Sequence, residues 1–152
     1  IPPDDERSRI VCADGAAFLA KPTHQFDIIL VDGFNAAGLP DALCSPGFYR
    51  RVKAALTPQG LMVANVQADT AQTREIHKRV GRVFDGAMLS FESDEGGNDI
   101  VLAGQREAFT QAAQEFEARW HALAEVHQAT LAATSTRLQR ALIRGLRPLT
   151  SP

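Results

Sequence analysis

Phe26-Asp27-Ile28-Ile29-Leu30-Val31 is a short apolar run that stops at Asp32-Gly33. A run of this length, rich in β-branched residues and closed by a turn pair, reads as a strand buried on both faces, the habit of parallel sheets. A parallel strand needs a long crossover to its neighbour, so helices should alternate with strands. The rest of the chain follows that expectation. Arg9 to Ala13 reads as a strand ending at Asp14-Gly15, and Ala16 to Ala20 as a short helix stopped by Lys21-Pro22. Phe34 to Pro46 reads as a loop. Phe48 to Leu56 reads as a helix with Phe48, Val52, Ala55 and Leu56 on one face, broken by Thr57-Pro58-Gln59-Gly60. Leu61 to Val66 is a further strand. A helix capped by Asp69 or Thr70 should run to about Phe84 with Ile76, Val80, Val83 and Phe84 inward. Ala87 to Phe91 and Ile100 to Ala103 read as the last strands, joined by the polar loop Glu92 to Asn98.

From Arg106 the pattern changes. Phe109, Phe116, Trp120, Leu123, His127, Leu131, Thr134, Leu138 and Leu142 recur at helical spacing. They predict one long helix, or two with a break near Thr134-Ser135-Thr136. Unbroken from Arg106 to Arg144, the helix would be about 58 Å long. A core of this size covers such a helix poorly, so its Phe109–Leu142 face is expected to pack partly on the sheet and partly on a second copy, giving a homodimer.

The 152 residues suit one domain, and 45% hydrophobic with 22% charged residues is the balance of a globular chain. A net charge of -2 gives no basic field for nucleic acid or anionic lipid. No run approaches the ~18 apolar residues of a membrane span, and no secretory signal opens the chain, so a cytoplasmic setting is expected. Ile1 in place of Met predicts a trimmed or processed N-terminus, and the proline-rich start to Ser8 a loop or cut linker. Cys12 and Cys44 have no CxxC spacing and read as free thiols. His24, His77, His121 and His127 have no zinc-type partner spacing, and neither GxSxG nor a P-loop occurs.

Ligands of such sheets bind at the carboxyl ends of the strands. Asp14, Asp32 and Asn65 stand at three such ends. Asp14-Gly15 could accept hydrogen bonds from a ligand amine or ribose, or simply open a helix. Asp32 could act as a base or hold a cation, or form a turn. Asn65 could bond a ligand through its amide. Glu92, Asp94, Glu95 and Asp99 could draw a polyamine, although such loops are commonly just solvated. Arg137, Arg140, Arg144 and Arg147 read as cations favouring a helix C-terminus.

Arg9 to about Val66 resembles the second half of the spermidine/spermine synthase (polyamine aminopropyltransferase) family. The likeness runs through RIVCADGAAFL and FDIILVDGFNAAGLPDALCSPGFYRRVKAALTPQGLMVANV, and more weakly through GNDIVLAG. It implies an α/β fold: an incomplete Rossmann-like sheet of class I methyltransferase type, mostly parallel, plus a long C-terminal helical segment. Residues 1–104 would be the C-terminal portion of the transferase domain and 105–152 a helical extension. Asp14, Gly15 and Leu43 would contact the adenine end of decarboxylated S-adenosylmethionine or S-adenosylmethionine. Asp32 would deprotonate a small-molecule amine, with Asn35 and Asn65 on the substrate side.

Asn35-Ala36 stands where the family has Asp-Pro, so one anchor for a diamine ammonium is lost. Asn65 replaces a frequent Gln, and Glu92 to Asn98 replaces a Tyr- and Pro-bearing loop. The family's glycine-rich cofactor loop precedes the segment matching Arg9 and does not occur in these 152 residues. Cofactor binding by this chain is therefore expected to be weak or absent, and aminopropyl transfer is expected of the intact protein, with these 152 residues inactive by themselves. The sheet is expected to keep a gap, or to fill it with a second chain or a rearranged first strand. Two other readings are a small-molecule methyltransferase and a noncatalytic assembly module built on the long helix.

Overall fold

The computed structural model describes residues 6, 8–20, 24–34 and 38–145. Side-chain caps set several boundaries. Asp14 opens α1 (Gly15–Phe18) by accepting the Ala17 N–H at 2.7 Å. After β1 (Phe26–Val31) comes α2 (Asp41–Cys44). Ser45 caps α3 (Pro46–Ala55), its hydroxyl taking the Phe48 N–H at 3.1 Å, and Pro46 supplies the preset first position. β2 (Leu56–Gln67) leads to α4 (Ala71–Val83), whose cap is Thr70. β3 (Met88–Glu92) and β4 (Asn98–Gly104) precede the helix pair α5 (Arg106–Ala122) and α6 (Glu125–Gly145).

The strand order is β1-β2-β4-β3. β1 is parallel to β2, and β4 is antiparallel to both β2 and β3. Three strands thus share a direction and only β4 is reversed. β2 shows how one strand serves two layers. Met62, Ala64 and Val66 point into a core with α3 and α4, including Phe48, Val52, Ile76, Val80 and Phe84. The alternate residues Leu61 and Val63 pack on the other face with Phe109, Phe116, Leu138 and Leu142 from α5 and α6. Among the described residues, no helix is long and apolar enough to cross a membrane.

Four expectations need correction. The segment Arg9–Ala13 is not a strand, and Val11 within it is 52% exposed. Its β-branched residues suit a ladder, but no described strand offers it one. β1 is not buried on both faces: it is the sheet edge, with Ile28 61% and Leu30 73% exposed. Thr57-Pro58-Gln59-Gly60 does not end the unit before β2 but lies inside it. Gly60 is required there, because a Cβ would stand 2.7 Å from the Phe26 carbonyl oxygen, beside the register shift between Phe26 and Ile28.

The C-terminal helix breaks at Leu123-Ala124, earlier than Thr134. Ser135 and Thr136 instead donate to the Ala132 carbonyl and stay helical. The break lets α6 fold back onto the sheet, so Phe109 and Leu142 are buried within the chain, while Leu123 and Leu131 of the same face stay 39% and 42% exposed.

Tyr49 was not among the expected core residues, yet it is wholly buried and its ring meets Phe48 edge-on at 5.6 Å. Its hydroxyl has no hydrogen-bond partner among the described residues, and burial pushes its pKa upward. An unsatisfied buried hydroxyl costs more than it returns. Tyr49→Phe is expected to leave the fold intact and raise stability by about 1 kcal/mol, read from the urea midpoint. A loss of stability would mean that the hydroxyl has a partner.

Candidate functional site

Val31 pairs with Ala64, so the next residues of the two parallel strands, Asp32 and Asn65, emerge side by side. The Asn65 Nδ2 donates to Asp32 Oδ1 at 3.4 Å. Asp32 itself is exposed, at the rim of a cavity of about 340 Å³. Gly15, Gly33 and Leu43 line that cavity, with Ile29 and Phe48 below. Leu43 lies directly over both glycines. A Cβ on Gly33 would come within 2.9 Å of Leu43 Cδ1, and one on Gly15 within 3.7 Å of Cδ2. The missing side chains therefore keep this end of the sheet open for a flat or extended ligand. Asp14 spends one carboxylate oxygen capping α1, which fixes Gly15 at the cavity wall.

Five of the six residues expected at the site thus gather at one end of the sheet. The sixth, Asn35, lies outside the described residues, as does Arg147 of the basic run. Two further residues that hold the site were not read from the sequence. Gln72 Nε2 donates to the Leu39 carbonyl at 2.7 Å, and Arg79 Nη1 to the Cys44 carbonyl at 3.0 Å. Both come from α4: Gln72 holds the chain just before α2, and Arg79 the end of α2, the helix that carries Leu43. Their signal is faint: polar residues on a helix that otherwise reads as amphipathic. Cys44 is buried, and burial foremost, then the Asp41 carboxylate, raises its pKa while Arg79 opposes them. The neutral thiol donates to the Leu39 carbonyl at 3.5 Å and has a packing role.

Asn65 also borders a second cavity of about 490 Å³, between β2 and the loop joining β3 to β4. Asp94 of that loop is ion-paired with Arg137 of α6 and accepts a hydrogen bond from Thr134 at 2.7 Å. Arg137 also donates to the Glu92 carbonyl at 3.2 Å. So this arginine ties two elements together, a role that the helix-end reading of the basic run missed.

One reversed strand in an otherwise co-directional sheet, with a carboxylate and glycines at the open strand ends, defines a Rossmann-like protein of the class I methyltransferase type. The structure of human methyltransferase-like protein 13 in complex with SAH matches 93% of this chain and 62% of its own, with a TM-score of 0.60 and 20% identity, a likeness of fold. The spermine/spermidine synthase domain model matches residues 2–91, and the chain belongs to that family. The polyamine aminopropyltransferase of Neisseria meningitidis serogroup A is 33% identical over 105 residues, 69% of this chain and 40% of its own length. That of Chromobacterium violaceum is 32% identical over 127 residues, 79% of this chain and 49% of its own. A spermidine synthase solved in complex with the transition state analogue AdoDATO matches 66% of this chain and 37% of its own, at a TM-score of 0.56 and 26% identity. The chain therefore spans half or less of the length of these curated relatives.

Proposed function

We propose that the intact protein transfers an aminopropyl group from decarboxylated S-adenosylmethionine to a small amine, with residues 1–104 as the C-terminal portion of the transferase domain and 105–152 as a helical extension. The observation that carries this reading is Asp32, held by Asn65 at the rim of the cavity that Gly15, Gly33 and Leu43 shape. The cavity fits the donor's nucleoside end: two glycines leave room for close approach, and Leu43 and Phe48 offer an apolar wall to a ring. When bound, the donor supplies an electrophilic methylene carbon beside its sulfonium. Asp32 receives the proton that the amine nitrogen gives up as the N–C bond forms and the C–S bond breaks. Asn65 keeps that carboxylate turned toward the cavity, and Asn35 and Asn65 would meet the amine through neutral amides. A buried free thiol at Cys44 suits a reducing, cytoplasmic setting.

Calorimetry on the full chain tests the donor. Decarboxylated S-adenosylmethionine and methylthioadenosine are expected to bind, weakly in this chain. S-adenosylmethionine, whose extra carboxylate would approach Asp32, should bind about tenfold or more weakly. Equal or tighter binding of S-adenosylmethionine would favour methyl transfer instead. No binding of any of the three to folded chain would sink the reading.

A further inference from the structure

Leu43 stands over Gly15 and Gly33, so its height sets how much of the cavity beside Asp32 is open. It is carried by α2, a helix of only four residues with no side-chain cap. So short a helix cannot fix its own position. What fixes it lies four residues before Leu43. The Leu39 carbonyl accepts hydrogen bonds from Gln72 Nε2 at 2.7 Å and from the Cys44 thiol at 3.5 Å. Gln72 Nε2 also stands 3.8 Å from the Cys44 sulfur, so one amide reaches both ends of the segment that carries Leu43. Leu39 and Cys44 are both buried. The other side of the same amide is fitted as closely. A Cβ on Gly38 would lie 2.8 Å from Gln72 Oε1, and Gly38 has a φ of 103°, so both space and backbone demand glycine where the amide enters.

Gln72 belongs to the first turn of α4, and that turn is tied to the end of β2. Thr70 Oγ1 accepts the Thr73 N–H at 3.0 Å, and the buried Thr73 hydroxyl donates to the Gln67 carbonyl. Asn65, two residues before Gln67 on the same strand, holds Asp32. A continuous set of contacts therefore runs from the strand end beside Asp32 to the wall over the two glycines. We infer that Gln72 is the positioning residue of the donor cavity: it holds Leu43 at the height that admits the donor's nucleoside end, and it links that height to the end of β2. The inference rests on the aminopropyl-transfer reading for the identity of the ligand. It goes beyond that reading by assigning the cavity's dimensions to a residue that does not itself line the cavity.

NMR of the full chain, with methylthioadenosine as probe, tests it. Gln72→Met keeps the side chain's length but removes its donor. It should move the Leu43 methyl signals and the Gly15 and Gly33 amides in the free chain, leave those of Phe109 and Leu142 in place, and weaken methylthioadenosine about tenfold. Gln72→Glu should do the same at about pH 7, since a carboxylate cannot donate to the Leu39 carbonyl. It should regain affinity toward about pH 5 as the carboxyl takes up a proton, relative to the parent over the same range. Leu43→Ala identifies the route: in that background Gln72→Met should cost about twofold or less. Full additivity of the two substitutions, or a lowered melting temperature with no regain at low pH, would mean a merely structural role and overturns the inference. So do Leu43 signals unmoved by Gln72→Met, or an affinity within about twofold of the parent for both Gln72 variants. If the parent binds no methylthioadenosine at millimolar concentration, the proposed reaction falls, while the free-chain signals of Leu43, Gly15 and Gly33 still decide whether Gln72 sets the cavity.

Discussion

In the intact protein, Asp32→Asn is expected to cut aminopropyl transfer about 100- to 10,000-fold, the usual contribution of a positioned general base. The substitution keeps the side chain's size and leaves an oxygen to accept the Asn65 Nδ2 hydrogen bond now made at 3.4 Å. What it removes is the capacity to accept a proton. The residue is exposed at the cavity rim, so little folding free energy is at stake, about 0.5 kcal/mol or less for a surface change. The two readouts therefore separate. Turnover of decarboxylated S-adenosylmethionine with an amine should collapse, while the urea midpoint and the affinity for methylthioadenosine stay near those of the parent. Turnover within threefold of the parent would remove Asp32 from the role of base. A collapse of turnover and donor affinity together would instead mean that the carboxylate shapes the cavity.

Much of that site was legible because strand ends are punctuated in sequence. Asp32-Gly33 and Asn65 each follow an apolar strand, whose parallel pairing brings Asp32 and Asn65 level, while Asp14-Gly15 is legible as a helix cap. The nature of β1 was not legible. FDIILV has the composition of a central strand, yet it ends up at an edge, because exposure depends on which strand lies alongside, and that is a non-local fact. Arg9–Ala13 misled for the same reason: β-branched residues favour a ladder but do not provide its partner. The break at Leu123-Ala124 carries neither Gly nor Pro. There Leu123 turns to an extended ψ of 146°, and Gln128 satisfies its carbonyl at 2.8 Å. By contrast, Thr134-Ser135-Thr136 resembles a break but bonds back to the helix's own carbonyls or to Asp94. Arg137 is the sharpest case. Its partner Asp94 is 43 positions earlier, a separation no local pattern encodes.

Phe48→Ala should be the most damaging single truncation near the site. Phe48 is 2% exposed and belongs to the core between the sheet and α3. Its backbone N–H is the one that Ser45 caps, so it sits in the first turn of α3, where the helix is anchored. Its ring packs edge-on against Tyr49 and also floors the cavity beneath Gly33 and Leu43. Removing a buried phenyl group costs about 3–5 kcal/mol through lost transfer free energy and the void left behind. A domain of this kind has only about 5–15 kcal/mol in total, so the urea midpoint should fall by about a fifth or more with the slope little changed. Phe34, 38% exposed, is the matched control, and its truncation should cost about 0.5 kcal/mol or less. Because the same ring supports the proposed donor wall, methylthioadenosine affinity should fall under conditions where the variant is still fully folded. Equal stability losses at Phe48 and Phe34 would show that α3 is not docked on β2 as described. A large loss of stability with undiminished donor affinity would move the nucleoside end away from this cavity.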